Sequence, residues 1–298
     1  MQELVVSYDL RDNRFMAKHQ LKINSIYCGD NLEILKEVPD ESVDLVYIDP
    51  PFNSGRNYEV FWGDIQERRA FEDRFGDVEA YISYMRPRIL ELYRVLKSTG
   101  SFYYHCDWHS SHYIKQMLDQ VFHPNNFQNE IIWRRSNSHN DGQKFGVITD
   151  SIFFYTKSSN YTFNKVFISR TEEETKEEYS KIDENTGRRY KSVSMNAPGQ
   201  GESKIFGDRG LLTPPKGTHW RWSQERIDKA LAEEKIFFTK NGVPRYKQFA
   251  DEVEGKPVQN LWLEFRAISS HSKERLGYPT QKPIELLERI ISARIVRT

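Results

Sequence analysis

The tetrapeptide Asp49-Pro50-Pro51-Phe52 is the sharpest chemical feature of this 298-residue chain. It follows Ser42-Val43-Asp44-Leu45-Val46-Tyr47-Ile48, which reads as a strand buried on both faces. The two prolines end that strand, because they cannot donate to a ladder and they push the preceding residue out of the helical region. A carboxylate at the C-terminal end of a buried strand stands where open α/β sheets bind their ligands. Rigid prolines beside it and an aromatic ring after it suit a flat nitrogenous substrate. Asp49 and the Pro50 carbonyl can each accept a hydrogen bond from an exocyclic amine and turn its lone pair toward an electrophile, while Phe52 stacks on the ring. The plainer alternative is a strand-to-loop turn in which Asp49 only caps.

Other clusters carry chemistry of a second kind. Trp133-Arg134-Arg135-Ser136-Asn137 follows a strand, and its two guanidinium groups can clamp phosphates; an ordinary solvated turn is the alternative. Trp220-Arg221-Trp222, with Lys216 and Arg226, interleaves aromatic and basic groups as base-contacting surfaces do, or else forms a small local core. His105-Cys106-Asp107-Trp108-His109 with His112 has metal-like composition, but it sits where a strand turns into a helix, and no metal is expected there. The acidic run from Glu172 to Glu178 reads as a solvated helix face.

The elements that must position these residues follow from periodicity. Residues 1–20 form a polar arm, and Ile23 to Tyr27 reads as a short strand leading to Gly29-Asp30 and a short helix. Val78, Ile82, Met85, Ile89, Leu92 and Leu96 predict an amphipathic helix, kinked at Pro87 and closed by Gly100. Ser101 to His105 is a second apolar strand, and Tyr113, Met117, Leu118 and Val121 mark a helix that stops at Pro124. Ile131-Ile132-Trp133 and Ser151 to Tyr155 are further strands. Strands alternating with helices predict an α/β fold with a mostly parallel sheet covered on both faces. The rhythm fails from about 160 to 270, where only Ser223 to Glu234 is clearly helical, and returns at Pro283 with an Ile284, Leu287, Ile291 stripe. The expected organisation is an arm (1–20), a main domain (21–160), an inserted substrate-handling region (161–270) and a return to the main domain (271–298).

Composition bounds the function. Lys plus Arg and Asp plus Glu both total 43, so a polybasic nucleic-acid binder is excluded while a local basic surface is not. The two cysteines fit neither a disulfide scaffold nor a zinc ribbon, and a reduced, cytoplasmic setting is expected. No apolar run approaches the roughly 20 residues that span a bilayer, and no signal-peptide core precedes Arg11, so no membrane partner is expected.

Taken in order, these motifs resemble the DNA amino-methyltransferases (adenine-N6 or cytosine-N4) of β-class motif order, from about Ile23 to the last residue. Asp49-Pro50-Pro51-Phe52-Asn53 is similar to their catalytic motif, Gly29-Asp30 to the acidic position at the adenine end of S-adenosylmethionine, and Ser101-Phe102-Tyr103-Tyr104-His105 to the strand after the catalytic one. Tyr278-Pro279-Thr280-Gln281-Lys282-Pro283, with Leu286 to Ile291, resembles the cofactor-side segment. The resemblance implies a fold of the S-adenosylmethionine-dependent methyltransferase type with an inserted target-recognition region. It implies catalysis by Asp49, Pro50, Pro51 and Phe52 on a base flipped out of double-stranded DNA. Gly29, Asp30, Asp49, Thr280, Gln281 and Lys282 would bind the cofactor; Asn53, Arg134, Arg135, Lys216, Trp220 and Arg221 would bind DNA. An Asp opening the tetrapeptide, where Ser is usual for cytosine-N4 enzymes, leans toward adenine-N6. A restriction endonuclease is a possible partner by the same resemblance.

One family feature does not occur among these 298 residues: the Phe-x-Gly-x-Gly loop that holds the methionine end of the cofactor. The fold is therefore expected to be incomplete at its C-terminus, with a longer chain or a second chain supplying the rest. Competing expectations are a non-catalytic DNA-binding subunit and, more distantly, a methyltransferase acting on RNA or on a protein amide. This polypeptide alone is expected to bind S-adenosylmethionine weakly. Two lost charge-assisted hydrogen bonds at about 1.5–3 kcal/mol each cost at least about two orders of magnitude in affinity. Calorimetric titration of the monomeric chain tests this, and micromolar or tighter binding refutes it.

Overall fold

The structure is a computed structural model that describes residues 22–51, 56–62, 67–73, 77–138, 140, 142–269, 271–277 and 280–294, with backbone only at 56–62 and 67–73. The expected N-terminal arm, Phe52, Asn53, Tyr278 and Pro279 lie outside these residues. The chain forms two compact units, one of residues 1–166 with 258–298 and one of residues 167–257. The expected boundaries at 160/161 and 270/271 thus differ from those observed. A short strand at Leu261–Trp262 belongs to the first unit's sheet, and two residues are too few to show a period.

The first unit is built on a five-stranded sheet. Its strands are β1 (Val43–Ile48), β2 (Leu96–Cys106), β3 (Phe127–Arg134), β4 (Thr149–Thr156) and β5 (Leu261–Trp262), in spatial order β1-β2-β4-β3-β5. β1 pairs with β2 and β3 with β5 in parallel, while β4 runs against both of its neighbours. Four strands therefore share one direction, as an α/β fold requires, and the reversed strand sits in the middle. An antiparallel hairpin, Arg56–Trp62 with Glu67–Asp73, follows β1.

Both faces of the sheet are covered. Helices α1 (Asn31–Leu35), α2 (Val78–Val95) and α3 (Ser111–Phe122) bury Leu35, Tyr81, Met85, Ile89, Leu92, Ile114, Met117 and Phe122 against Val46, Ile48, Phe102, Tyr104 and Tyr155. On the other face α4 (Ile284–Arg294) packs Leu286 and Ile290 against Leu45, Tyr103, Trp133, Ile152 and Trp262. Asp77 caps α2 by accepting from the Ala80 N–H at 2.8 Å, and the helix runs through Pro87.

Several expectations are corrected here. Gly100 does not close α2: the helix stops at Val95 because Leu96 is extended, and Gly100 lies inside β2. A Cβ there would stand 2.6 Å from the Leu96 side chain and 2.9 Å from the Lys97 carbonyl oxygen, so close approach, not helix termination, requires glycine. Ile23 to Tyr27 forms a turn and one bridge residue instead of a strand, with Ile26 83% exposed. The stripe Ile284, Leu287, Ile291 is not the buried face of α4, since Ile284 and Ile291 are 55% and 45% exposed. That helix is apolar on adjacent faces, so its period identifies a helix without choosing its side.

The second unit has a four-stranded antiparallel sheet, in order Ile236–Phe238, Pro244–Phe249, Arg189–Ser194 and Lys181–Ile182. Its core is Met195, Phe206, Trp220, Ile227, Ala230 and Ile236. The acidic run is a solvated helix (Glu172–Glu178) with a Thr171/Glu174 capping box, and Ser223 caps the helix Gln224–Ala232. Asp183 fixes one corner of this unit: Lys247 Nζ donates to it at 2.5 Å, and the Thr186 hydroxyl and N–H donate at 2.8 and 3.0 Å.

The lysine first, then Thr186, hold the Asp183 carboxyl down at about 2, against an ordinary value of 3.8. A folded-state pKa below the unfolded one stabilises the fold above the unfolded value and is lost as pH falls through the folded value. Asp183→Asn should therefore lower the urea midpoint by a constant amount above about pH 5, and the deficit should shrink toward zero as pH approaches about 2. A pH-independent deficit in a urea series refutes this assignment.

Candidate active site

Because β1, β2, β3 and β5 run in one direction, their C-terminal ends meet at one edge of the sheet, where β4 begins. Asp49 lies just past β1 at that edge, His105 near the end of β2, Arg134 at the end of β3, and Asp150 at the start of β4. The register puts Tyr47 opposite Tyr103 and Trp133 opposite Asp150, so these polar groups rise above the apolar face that α4 covers.

Asp49 is the centre of the arrangement. Its Oδ2 accepts a hydrogen bond from Lys282 Nζ, which also donates to the Thr280 carbonyl at 3.1 Å. Its Oδ1 is buried without a hydrogen-bond partner among the described residues, and His105 Nδ1 lies 3.8 Å from it. The segment before α4 delivers the lysine. Gln281 ties down the preceding turn, donating to the Glu274 carbonyl at 2.9 Å and accepting from the Leu276 N–H at 2.8 Å. Glu274 in turn accepts from the Ile284 N–H at 2.6 Å, satisfying an open donor of the first turn of α4. At the helix's far end Arg294, 8% exposed, donates to the Asp44 carbonyl and carboxylate, both at 3.1 Å.

Behind Asp49 stands a row of buried polar groups. His105 and Asp150 are 0% and 2% exposed. Nε2 of His105 is 3.2 Å from Asp150 Oδ2, its Nδ1 is 2.7 Å from the Tyr47 hydroxyl, and Trp133 packs edge-on at 5.6 Å. Desolvation, then the neighbouring Asp49 and Asp150 carboxylates, push the Tyr47 phenol well above its ordinary range, so it keeps its proton. Sequence reasoning missed Tyr47 and Asp150. Their signal was a polar residue interrupting an otherwise apolar strand.

The remaining expected residues fall into different settings. Asp30 caps α1, accepting from the Leu32 N–H at 2.9 Å, and pairs through both oxygens with Arg88 at 2.9 Å; Gly29 precedes it. Arg134 and Arg135 diverge. Arg134 donates to the Leu263 carbonyl at 2.7 Å, which commits it to holding the chain after β5. The Arg135 side chain is 40% exposed, 3.6 Å from Asp150 Oδ1. His105 and His109 engage different aspartates, Asp150 and Asp107. Among the described residues no group of three or more metal-ligating side chains is gathered.

In the second unit Trp220 is a correction. It is 6% exposed, packs on Phe206 at 5.1 Å and donates its indole N–H to the Leu212 carbonyl, so it is a core residue and not a stacking platform. Lys216 and Arg221 are exposed, and Arg221 Nε donates to the Asn196 carbonyl at 3.0 Å.

The chain is similar to known proteins. The type II methyltransferase M.EcaI of Enterobacter cloacae is 28% identical over 273 residues, covering 91% of this chain and 59% of that protein. The Mod subunit of the type III restriction-modification enzyme StyLTI of Salmonella typhimurium is 26% identical, covering 98% of this chain and 49% of its own. The chain thus spans roughly half the length of these relatives. The solved PvuII DNA methyltransferase, cytosine-N4-specific, matches with a TM-score of 0.34 at 18% identity, over 46% of this chain and 50% of that one. The model of the DNA methylase family matches residues 43–295, from the first residue of β1 to just past the end of α4, and the chain belongs to that family.

Proposed function

We propose that this chain carries the catalytic edge and the DNA-reading segment of a methyltransferase that modifies the exocyclic amine of a flipped-out base in double-stranded DNA, namely adenine N6. The observation that carries the reading is Asp49. One carboxylate oxygen is held by Lys282, and the other is buried with no hydrogen-bond donor among the described residues, at the sheet edge where α/β folds bind ligands. An exocyclic amine supplies the donor that oxygen lacks.

The chain's residues also suit S-adenosylmethionine. Asn31 Oδ1 at the start of α1 is a second buried acceptor without a partner, and a cofactor with amine and ammonium groups can satisfy such acceptors. Gly29, Asp30, Thr280, Gln281 and Lys282 would hold it, and it would supply an electrophilic methyl group. Asp49 and the Pro50 carbonyl orient the amine by accepting its N–H groups, Phe52 stacks on the base, and most of the rate comes from this positioning. Residues 167–257 and Arg135 read the DNA. Restriction-modification is the fitting biological setting, with a nuclease as possible partner, and the cytoplasm is the fitting compartment. Among the described residues no helix is long and apolar enough to cross a membrane.

Asp49→Ala should lower methyl transfer to duplex DNA by at least about 100-fold and leave DNA affinity within about threefold. Methylation retained above that level sinks the catalytic assignment. Both are measured in the enzyme completed with the rest of its cofactor site, where DNA binding without methylation before any substitution favours the non-catalytic alternative.

Arg135→Ala should weaken binding to all sequences and flatten the log–log salt dependence by about 0.9 for one phosphate contact. Arg134→Ala should change the slope less, since its guanidinium is committed to Leu263. Equal slopes for Arg135→Ala and the unaltered chain, from labelled-duplex titrations at several salt concentrations, rule the contact out.

A further inference from the structure

The methyltransferase reading leaves one problem open, the proton. An amine that gains a methyl group must lose a proton, and Asp49 is the first group to meet it. The buried row behind Asp49 bears on where that proton goes. His105 Nε2 faces Asp150 Oδ2 at 3.2 Å, and its Nδ1 faces the Tyr47 hydroxyl at 2.7 Å and Asp49 Oδ1 at 3.8 Å. Asp150 is an acceptor only, so the ring proton belongs on Nε2. Tyr47 keeps its own proton and donates to the opposite nitrogen. The two contacts therefore specify the same tautomer, with Nδ1 as an acceptor facing the catalytic carboxylate.

Resting on that reading, we propose that Asp150 and Tyr47 lock His105 in its Nε2–H tautomer and make it the positioning residue that receives, through Asp49, the proton released by the methylated amine. In the step, the amine lone pair forms the new N–C bond, and the pair of the departing C–S bond stays on the thioether. One N–H proton leaves to Asp49 Oδ1, its electron pair remaining on nitrogen, and then passes to His105 Nδ1 as the Tyr47 hydroxyl turns away from that lone pair and becomes the acceptor of the new Nδ1–H. The imidazolium so formed is matched by Asp150 on its far side. Among the described residues, the titratable and charged groups facing His105 include Tyr47 and Asp49 from the β1 end and Asp150 from β4. Arg135 stands beyond Asp150 and Lys282 beyond Asp49. From β3 the Trp133 ring packs against the imidazole.

Imidazole 15N shifts of the histidine-labelled chain, which need neither cofactor nor DNA, read the tautomer directly. The expected result is a protonated Nε2 and an unprotonated Nδ1 at His105, assigned by loss of the signal in His105→Gln. Asp150→Asn keeps the shape but can offer an N–H to Nε2, which drives the proton to Nδ1. In that variant the 15N signature should invert and kcat should fall at least about tenfold, with KM for DNA and for S-adenosylmethionine within about twofold. Tyr47→Phe is the second variant, and its kcat should fall without a change in KM. An Nδ1–H signature in the unaltered chain overturns the proposal whatever the variants do. Undiminished kcat in a folded, tautomer-inverted Asp150→Asn overturns the proton route alone. These rates are read in the enzyme completed with the rest of its cofactor site, and a completed enzyme that transfers no methyl group to DNA overturns the route together with the methyltransferase reading.

Discussion

The contact between Lys282 and Asp49 joins residues 233 positions apart and is the constraint on which the rest of the site depends. Asp49 arrives with β1, and Lys282 arrives with α4, which returns to the sheet only after the second unit has been built. Neither partner is open to solvent, with side-chain exposures of 22% and 14%, so a carboxylate without the lysine would pay a desolvation penalty with no return. Such a pair adds little net stability compared with apolar packing. Its effect is directional: it occupies Oδ2 and leaves Oδ1 as the acceptor. The second clamp, Arg294 on Asp44, sets the height of α4 over β1, so the helix is fixed at both ends against the strand that leads into Asp49.

The sheet face beneath this edge shows how expensive the polar row is. Leu45, Tyr103, Ile131, Ile152 and Phe154 form an apolar floor, and Tyr103 and Phe154 stack at 4.5 Å. A histidine and an aspartate placed directly above that floor are tolerated because their polar atoms meet partners, except Asp150 Oδ1, which has no hydrogen bond among the described residues and faces the Arg135 charge. His105 has Asp150 on one nitrogen and Tyr47 on the other. Asp150 has His105 at 3.2 Å and Arg135 at 3.6 Å. Low dielectric strengthens these interactions and fixes the ring plane, since a rotated imidazole would leave buried acceptors unpaired.

Local chemistry made β1, α2, β2 and the Asp49 turn legible in the sequence, because apolar period and proline punctuation act within a few residues. The interactions that misled the reading are a crowded contact within one strand and contacts made by residues distant in sequence. Gly100 looked like a helix stop, but Leu96 crowds it from within the same strand. Trp220 beside Arg221 and Trp222 looked like a stacking surface until Phe206 and the Leu212 carbonyl claimed it for a core. Arg134 and Arg135 are neighbours in sequence yet point to different partners, as successive residues at a strand end must. The four-stranded sheet of the second unit pairs Arg189–Ser194 with Pro244–Phe249, more than fifty residues on, and neither segment alternates cleanly. Register set by such distant partners has no local signature.

The same distinction separates the surfaces of the two units by what they can specify. At the sheet edge the functional atoms are buried and held by side chains from several strands, which suits chemistry that tolerates little displacement. In the second unit the candidate DNA contacts are exposed and held by backbone. Arg221 is oriented by the Asn196 carbonyl, and Lys216 precedes Gly217, whose φ of +78° turns the chain where a side chain would strain it. A guanidinium already anchored through Nε loses less rotamer freedom on meeting a phosphate or a base edge, so part of the ordering cost is met in the unbound protein. The residues beneath it, Met195, Phe206, Trp220 and Ile227, make a small core that supports those loops. A DNA-reading surface on such a scaffold can change its exposed residues while the small core beneath them keeps its packing.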